Sequence, residues 1–146
     1  MTEVTLLTGI VWGLVGAVAM VIVMQVLGEG DPPPFAVFWS KFIGGQTKDA
    51  MPQSLLLHAV YAAIAGALYV VIFSAFDLGF AITGFTGGII WGIVWAIILL
   101  VIGMMFWGNL VLDMDPSPAQ MRTMGVAHLA YGLVLGILSA AVPHLL

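Results

Sequence analysis

Four long apolar runs, each without Asp, Glu, Lys or Arg, constrain this chain more than any other feature of its sequence. About 20 apolar residues in a helix are enough to cross the hydrocarbon core of a bilayer. Because 62% of the residues are hydrophobic and only 7% are charged, the rest of the chain cannot build a water-soluble domain around the runs. We therefore expect one all-α integral membrane domain over residues 1–146, a bundle of four transmembrane helices. The predicted helices cover residues 6–27, 55–76, 85–107 and 123–142.

The charges predict an orientation and exclude one class of partner. The three cations, Lys41, Lys48 and Arg122, fall in the first and third connections between the predicted helices. The positive-inside rule places these connections in the cytoplasm and both termini outside the cell membrane. With a net charge of -4 the chain lacks the basic surface that nucleic acid requires, so the lipid bilayer is the expected partner. The chain has no cysteine, which excludes disulfides and thiolate metal sites.

The two halves of the chain share three short motifs in the same order. "GIVWGLV" from Gly9 matches "GIIWGIV" from Gly88, "DPPP" precedes the second long helix as "DPSP" precedes the fourth, and "HAVY" from His58 matches "HLAY" from His128. The repeat predicts a duplicated two-helix unit. Because each unit crosses the membrane twice, a pseudo-twofold axis along the membrane normal would relate the two copies.

The first half carries an insertion after its prolines. Its apolar residues follow the i, i+3, i+4, i+7 spacing of one helical face. This pattern predicts a short amphipathic helix over residues 35–44 that lies in the cytoplasmic interface of the membrane. The alternative is a re-entrant loop whose aromatic side chains pack against the bundle. The residues of this face are Phe35, Phe38, Trp39, Phe42 and Ile43.

Small residues recur at every fourth position in all four predicted helices. Such stripes let helix backbones approach closely in lipid, where the hydrophobic effect does not drive helices together. We expect the first helix to contact the third near the outer surface and the second to contact the fourth near the cytoplasm. A stripe exposed on a monomer would be a docking face, so a homo-oligomer or a larger membrane complex is expected. The expected packing glycines are Gly9, Gly13, Gly66, Gly84, Gly88, Gly92, Gly132 and Gly136.

His58 and His128 occupy the same position of the repeat, and each extends the small face of its helix by one turn. We expect them to meet inside the bundle near its cytoplasmic end, with Gln25, Tyr61 and Tyr131 as the other interior polar residues. Three roles stay open: a structural hydrogen bond to a carbonyl, a tyrosine or the proline turn; a ligand pair for haem or a metal ion; or part of a polar pathway. The nine methionines are interpreted as apolar filler, and no resident cofactor or metal site is expected.

The sequence offers no support for catalysis. No charged residue lies within a predicted helix, although ion-coupled transporters usually keep one there. No nucleophile and base set, zinc motif or phosphate-binding loop is present either, so we expect that the protein is not an enzyme. The leading hypothesis is an accessory or scaffolding subunit, or a self-associating bundle. A passive pore or uncoupled small-solute transporter is the first alternative, and a haem- or metal-binding protein that uses His58 and His128 is the second.

The order of these motifs resembles that of the YagU-type inner-membrane proteins. A glycine-rich helix, a proline-rich turn and a helix that opens with His and an aromatic residue occur twice, as they also do in small four-span proteins of halophilic archaea. The resemblance covers nearly the whole chain, although the connections are shorter than in the YagU-type pattern. It implies a four-span membrane fold and carries no activity with it. The residues that carry the resemblance are Gly9, Gly13, Pro32, Pro34, His58, Tyr61, Gly66, Pro116 and His128.

Overall fold

The computed structural model describes residues 6–28, 32–75, 84–111, 113 and 116–141. All regular secondary structure in these ranges is helical. A π-helical segment, Gly103–Val111, directly continues the fourth α-helix. The α-helices are α1 (Leu6–Leu27), α2 (Pro34–Ile43), α3 (Met51–Ala75), α4 (Gly84–Ile102) and α5 (Pro118–Ala141).

Four helical stretches are long and apolar enough to cross a membrane: α1, α3, α5, and α4 together with the π-helical segment. Large apolar side chains stay exposed on their outer faces, as Val18 and Val26 of α1 do at 61% and 74%. Such a surface is costly in water, whereas lipid tails are as apolar as these side chains. The prediction of four membrane-length helices is confirmed, and the exposed apolar faces suggest a membrane protein.

Local hydrogen bonding explains why α5 begins earlier than the apolar run predicts. The Oγ of Ser117 accepts a hydrogen bond from the backbone N–H of Gln120 at 3.2 Å, and the Oε1 of Gln120 accepts one from the N–H of Ser117 at 2.9 Å. This reciprocal pair satisfies donors that the first helical turn leaves unpaired. Pro118 occupies the first helical position, where proline loses no hydrogen bond. The helix therefore starts at a capping signal, outside the apolar run.

The third membrane-length stretch changes its helix type near its end. α4 stops at Ile102, and the chain continues as a π-helix to Val111, beyond the predicted end of this helix at residue 107. π-helical backbone is rare and is found mostly near functional sites. The segment begins at Gly103, so the change in helix type falls beside His128.

The four long stretches pack as two close pairs. α1 packs along α3, α4 packs along α5, and contacts between α1 and α5 join the pairs, while the short α2 packs on α3. The predicted approach of the first membrane helix to the third, and of the second to the fourth, is therefore wrong. A stripe of small residues shows that a helix packs closely but does not identify the partner. Here the stripe of α1 faces that of α3, and the stripe of α4 faces that of α5.

The closest contacts in the two pairs involve matching residues. A side chain at Gly13 would collide with the carbonyl oxygen of Ala62 on α3, and one at Gly92 would collide with the carbonyl oxygen of Gly132 on α5. Backbone therefore lies directly against backbone in both pairs, which only small residues permit. The same kind of contact joins Gly9 with Gly66 and Gly88 with Gly136.

Gly84 does not belong with these packing glycines. It is the first residue of α4, and no heavy atom lies within 4 Å of a side chain placed there. Its φ of 77° is a backbone conformation that glycine adopts readily and other residues do not. The prediction that Gly84 packs against another helix is wrong, because its spacing matches the stripe while its position precedes the contact between α4 and α5.

Candidate binding cavity

A partly open cavity of about 150 Å³ lies between the helices. It is near the end that carries Pro33 and Pro116, called here the proline-turn end, and all five α-helices contribute to its wall. No Asp, Glu, Lys or Arg is among the described residues that line it. Four of the five predicted interior polar residues do line it. They are His58, Tyr61, His128 and Tyr131.

His58 is held in the cavity wall by an aromatic contact. Its side chain is only 9% exposed, and its ring stacks on that of Phe35 from α2, with 4.8 Å between centroids and 29° between ring planes. Its Nε2 has no hydrogen-bond partner among the residues that the structure describes. A buried polar atom left unpaired costs roughly 1–3 kcal/mol. The ring of His58 therefore carries one buried nitrogen whose hydrogen-bonding capacity is unused.

His128 is oriented by its own helix. Its Nδ1 lies 2.8 Å from the carbonyl oxygen of Met124, one turn earlier on α5. A carbonyl oxygen only accepts hydrogen bonds, so Nδ1 carries the proton, and in the neutral ring Nε2 keeps its lone pair. A side chain built at Gly103 would come within 4.0 Å of this Nε2. The backbone hydrogen bond fixes the tautomer and presents Nε2 beside the start of the π-helical segment.

The two repeat-related tyrosines have different environments. Tyr131 is 1% exposed, and its hydroxyl donates a hydrogen bond of 2.7 Å to the carbonyl of Ala62 on α3. Its ring lies against Gly16 of α1, where any side chain would collide with it. At the matching position of the second half the sequence has Trp95 instead of Gly16, and Tyr61 remains only half-buried in the cavity wall. The cavity is therefore lined unequally by the two halves.

A second depression of about 480 Å³ adjoins the cavity at the proline-turn end. Gln25 and Lys48 line this depression. Gln25 is exposed and does not line the cavity, so its assignment to the interior polar set is wrong; it lies on the outer side of α1 at the helix end. Only Met24, Phe35 and Met124 line both spaces. These three side chains form the partition between the depression and the cavity.

An aromatic cluster packs α3 against α4 on the other side of the cavity. The ring centroid of Tyr69 lies 6.0 Å from that of Trp95, and the centroid of Phe73 lies 6.4 Å from that of Trp91. The hydroxyls of Tyr69 and Ser139 are 3.2 Å apart, which adds a hydrogen bond to α5. Because Tyr69 and Trp95 are both buried, this cluster separates the cavity from the end of the bundle opposite the proline turns.

Sequence reasoning missed the methionines of this site. Met20, Met24 and Met124 all line the cavity with the two histidines. Met20 and Met24 pack in the hydrophobic core, as expected of apolar filler, whereas Met124 lies four residues before His128 on the same face of one helix. No group of three or more His, Cys, Asp or Glu side chains suited to a metal occurs in the described ranges.

The haem hypothesis does not fit the dimensions of the site. Pockets for drug-sized ligands measure about 300–1,000 Å³, and haem is larger than most such ligands. The cavity between His58 and His128 is smaller than this whole range. It has room for an ion or for a molecule of roughly the size of benzene.

Comparison of the chain with family models, curated proteins and solved structures yields no match. The resemblance to YagU-type proteins therefore stays a prediction.

Proposed function

We propose that this protein is a non-enzymatic membrane protein that binds a small solute in its cavity and transports it without ion coupling. The observation that carries the proposal is the convergence of two imidazoles and two tyrosines on one partly open cavity that adjoins a larger depression. Polar side chains at membrane depth are costly and usually mark a solute path. In this site, one imidazole nitrogen is buried without a partner.

The wall of the cavity limits the class of solute. Its volume of about 150 Å³ suits a small molecule or an ion. The described lining residues carry no formal charge at neutral pH apart from any proton on the histidines. A multivalent anion or a strongly hydrated cation would lose its water shell without an opposite charge to replace it. The site is therefore suited to neutral or weakly hydrated solutes.

The packing around the cavity favours a carrier over an open pore. Phe35 and two methionines stand between the cavity and the depression, and the buried Tyr69 and Trp95 pack beyond the cavity on its other side. A solute would enter past Phe35 from the proline-turn end, and its release on the opposite side would require the aromatic cluster to separate. Entry on the cytoplasmic side follows if the positive-inside orientation holds.

The scaffolding hypothesis has less support from the geometry. It relied on a glycine stripe free to dock another protein, yet the glycines at the centres of the four stripes face one another within the bundle, as Gly13 does with the backbone of Ala62. Oligomerisation through the exposed apolar faces stays a prediction.

The repeat is part of the same proposal. We infer that the bundle arose by duplication of a helix pair, with the copies related by a pseudo-twofold axis. The matching contacts of Gly13 with Ala62 and of Gly92 with Gly132 support this, since both fall at equivalent positions of the repeated motifs. The insertion that forms α2 and the replacement of Gly16 by Trp95 would then be later changes that made one site from two halves.

Flux into liposomes tests the transport proposal. Proteoliposomes and empty liposomes are compared with urea, glycerol, Na⁺ and Ag⁺, which span neutral solutes and hard and soft cations. We expect at least one solute to enter faster with protein. The Phe35→Ala variant should accelerate entry because it removes the ring that separates the depression from the cavity. The His58→Ala/His128→Ala variant should lose the selective flux.

The matched control is Phe42→Ala. Phe42 is on the same helix as Phe35 but is 73% exposed and does not itself line the cavity. It should leave flux unchanged. The proposal fails if no solute enters faster than into empty liposomes, or if the two phenylalanine variants change flux equally.

A further inference from the structure

Soft ligand atoms of two kinds meet at the cavity. Met20, Met24 and Met124 bring thioether side chains from α1 and α5, and His58 and His128 bring imidazoles from α3 and α5. Met20 is buried, at 7% exposure, and is therefore part of the packed interior. Three thioethers and two imidazoles from α1, α3 and α5 therefore line the same cavity.

Both histidines line the cavity, and each keeps a ring nitrogen without a hydrogen bond in the described part of the chain. The Nε2 of His58 is buried and has no hydrogen-bond partner in the described part of the chain. The Nδ1–H of His128 donates to the carbonyl of Met124, which leaves Nε2 as the atom with the lone pair. Histidines that bind metals typically donate their other ring N–H to a carbonyl or carboxylate in this manner.

This donor set selects one class of metal ion. Thioether and imidazole ligands favour Cu(I), and Ag(I) shares its charge and softness. Ca²⁺ and Mg²⁺ require oxygen ligands, and catalytic or structural Zn²⁺ takes three or four ligands from His, Cys, Asp and Glu. No such group of three occurs in the described ranges. A weakly hydrated monovalent ion also loses least on entering a wall without a counter-charge.

We propose that the cavity binds one soft monovalent cation, Cu(I) or its analogue Ag(I), through His58 and His128 together with methionines from the group Met20, Met24 and Met124. The inference rests on the cavity of the proposed function and names its class of solute. Binding and transport are separate properties, however, and binding to detergent-solubilised protein is measured without flux.

The experiment is a titration of the solubilised full chain with Ag(I), and with Cu(I) under reducing conditions against a coloured Cu(I) chelator. We expect one ion per chain, with sulfur and nitrogen neighbours in the X-ray absorption spectrum. His58→Gln should weaken binding at least about tenfold, in the range typical for disturbed metal sites. The triple variant Met20→Leu/Met24→Leu/Met124→Leu should do the same, and its nearly equal side-chain volumes preserve packing.

Met105→Leu is the matched control, because Met105 is 66% exposed and does not line the cavity. It should bind as the unaltered protein does, and Zn²⁺ should not compete. Failure to bind either ion, or binding that is the same in the triple variant and the control, overturns the inference. Urea or glycerol flux without metal binding would overturn the inference and leave the transport proposal standing. Metal binding without flux of any solute would support the inference and overturn the transport proposal.

Discussion

At the scale of single residues, Tyr131 connects three helices. It starts on α5, its ring lies on Gly16 of α1, and its hydroxyl reaches the carbonyl of Ala62 on α3. That carbonyl belongs to the residue that Gly13 contacts in the close pair of α1 and α3. The sequence placed Tyr131 on an interior face but did not reveal this bond, because its partner is a backbone atom 69 positions away.

Replacement of Tyr131 by Phe should lower the free energy of unfolding by about 0.5–1.5 kcal/mol, the usual net value of one hydrogen bond. Unfolding in mixed micelles of a mild detergent and SDS measures the change. Tyr61→Phe is the control, since Tyr61 is the repeat-related residue and forms no hydrogen bond with described residues. Equal losses in the two variants would mean that the bond to Ala62 contributes nothing specific.

At the scale of helices, the two pairs are held by backbone contact at glycines. Gly132→Ala on α5 would place a methyl group against the carbonyl of Gly92 and should destabilise the bundle by about 1–3 kcal/mol, as overpacking does. Gly125→Ala lies on the same helix and meets no atom within 4 Å, so it should instead stabilise by up to about 1 kcal/mol through helix propensity. Opposite signs in the same SDS titration are expected. A gain at both positions would show that the substitutions act through helix propensity alone and that the contact of Gly132 with Gly92 contributes nothing.

The same helices show which features of the fold the sequence predicts and which it does not. Hydropathy was sufficient to predict four membrane-length helices, and aromatic spacing to predict α2, because both patterns are local. The π-helical segment, the pairing of α1 with α3 and the methionine side of the cavity were not predicted, since each depends on contacts between distant residues. Two signals were nevertheless present: the reciprocal cap of Ser117 and Gln120, and the spacing of Met124 and His128.

At the scale of the whole molecule, the cavity follows from a difference between two similar halves. Gly16 in the first half makes room for the ring of Tyr131, whereas Trp95 occupies the matching place in the second. α2, present only in the first half, brings Phe35 over His58. A chain with two identical halves would form two identical helix pairs and no asymmetric site between them. In this chain the two ends of the proposed solute path differ: one is polar and the other is aromatic.

The direction of that path depends on how the molecule sits in the membrane. The positive-inside rule predicts that the segment between α2 and α3, with the exposed Lys48, faces the cytoplasm. The chain has no cysteine, so single cysteines introduced at Gln46→Cys, which is exposed, and at Asp77→Cys, in the connection between α3 and α4, would be the only thiols. A maleimide that does not cross membranes should label Gln46→Cys only after the cells are opened and Asp77→Cys in intact cells. The reverse pattern would place the depression outside, and the cavity would then take up its solute from the exterior.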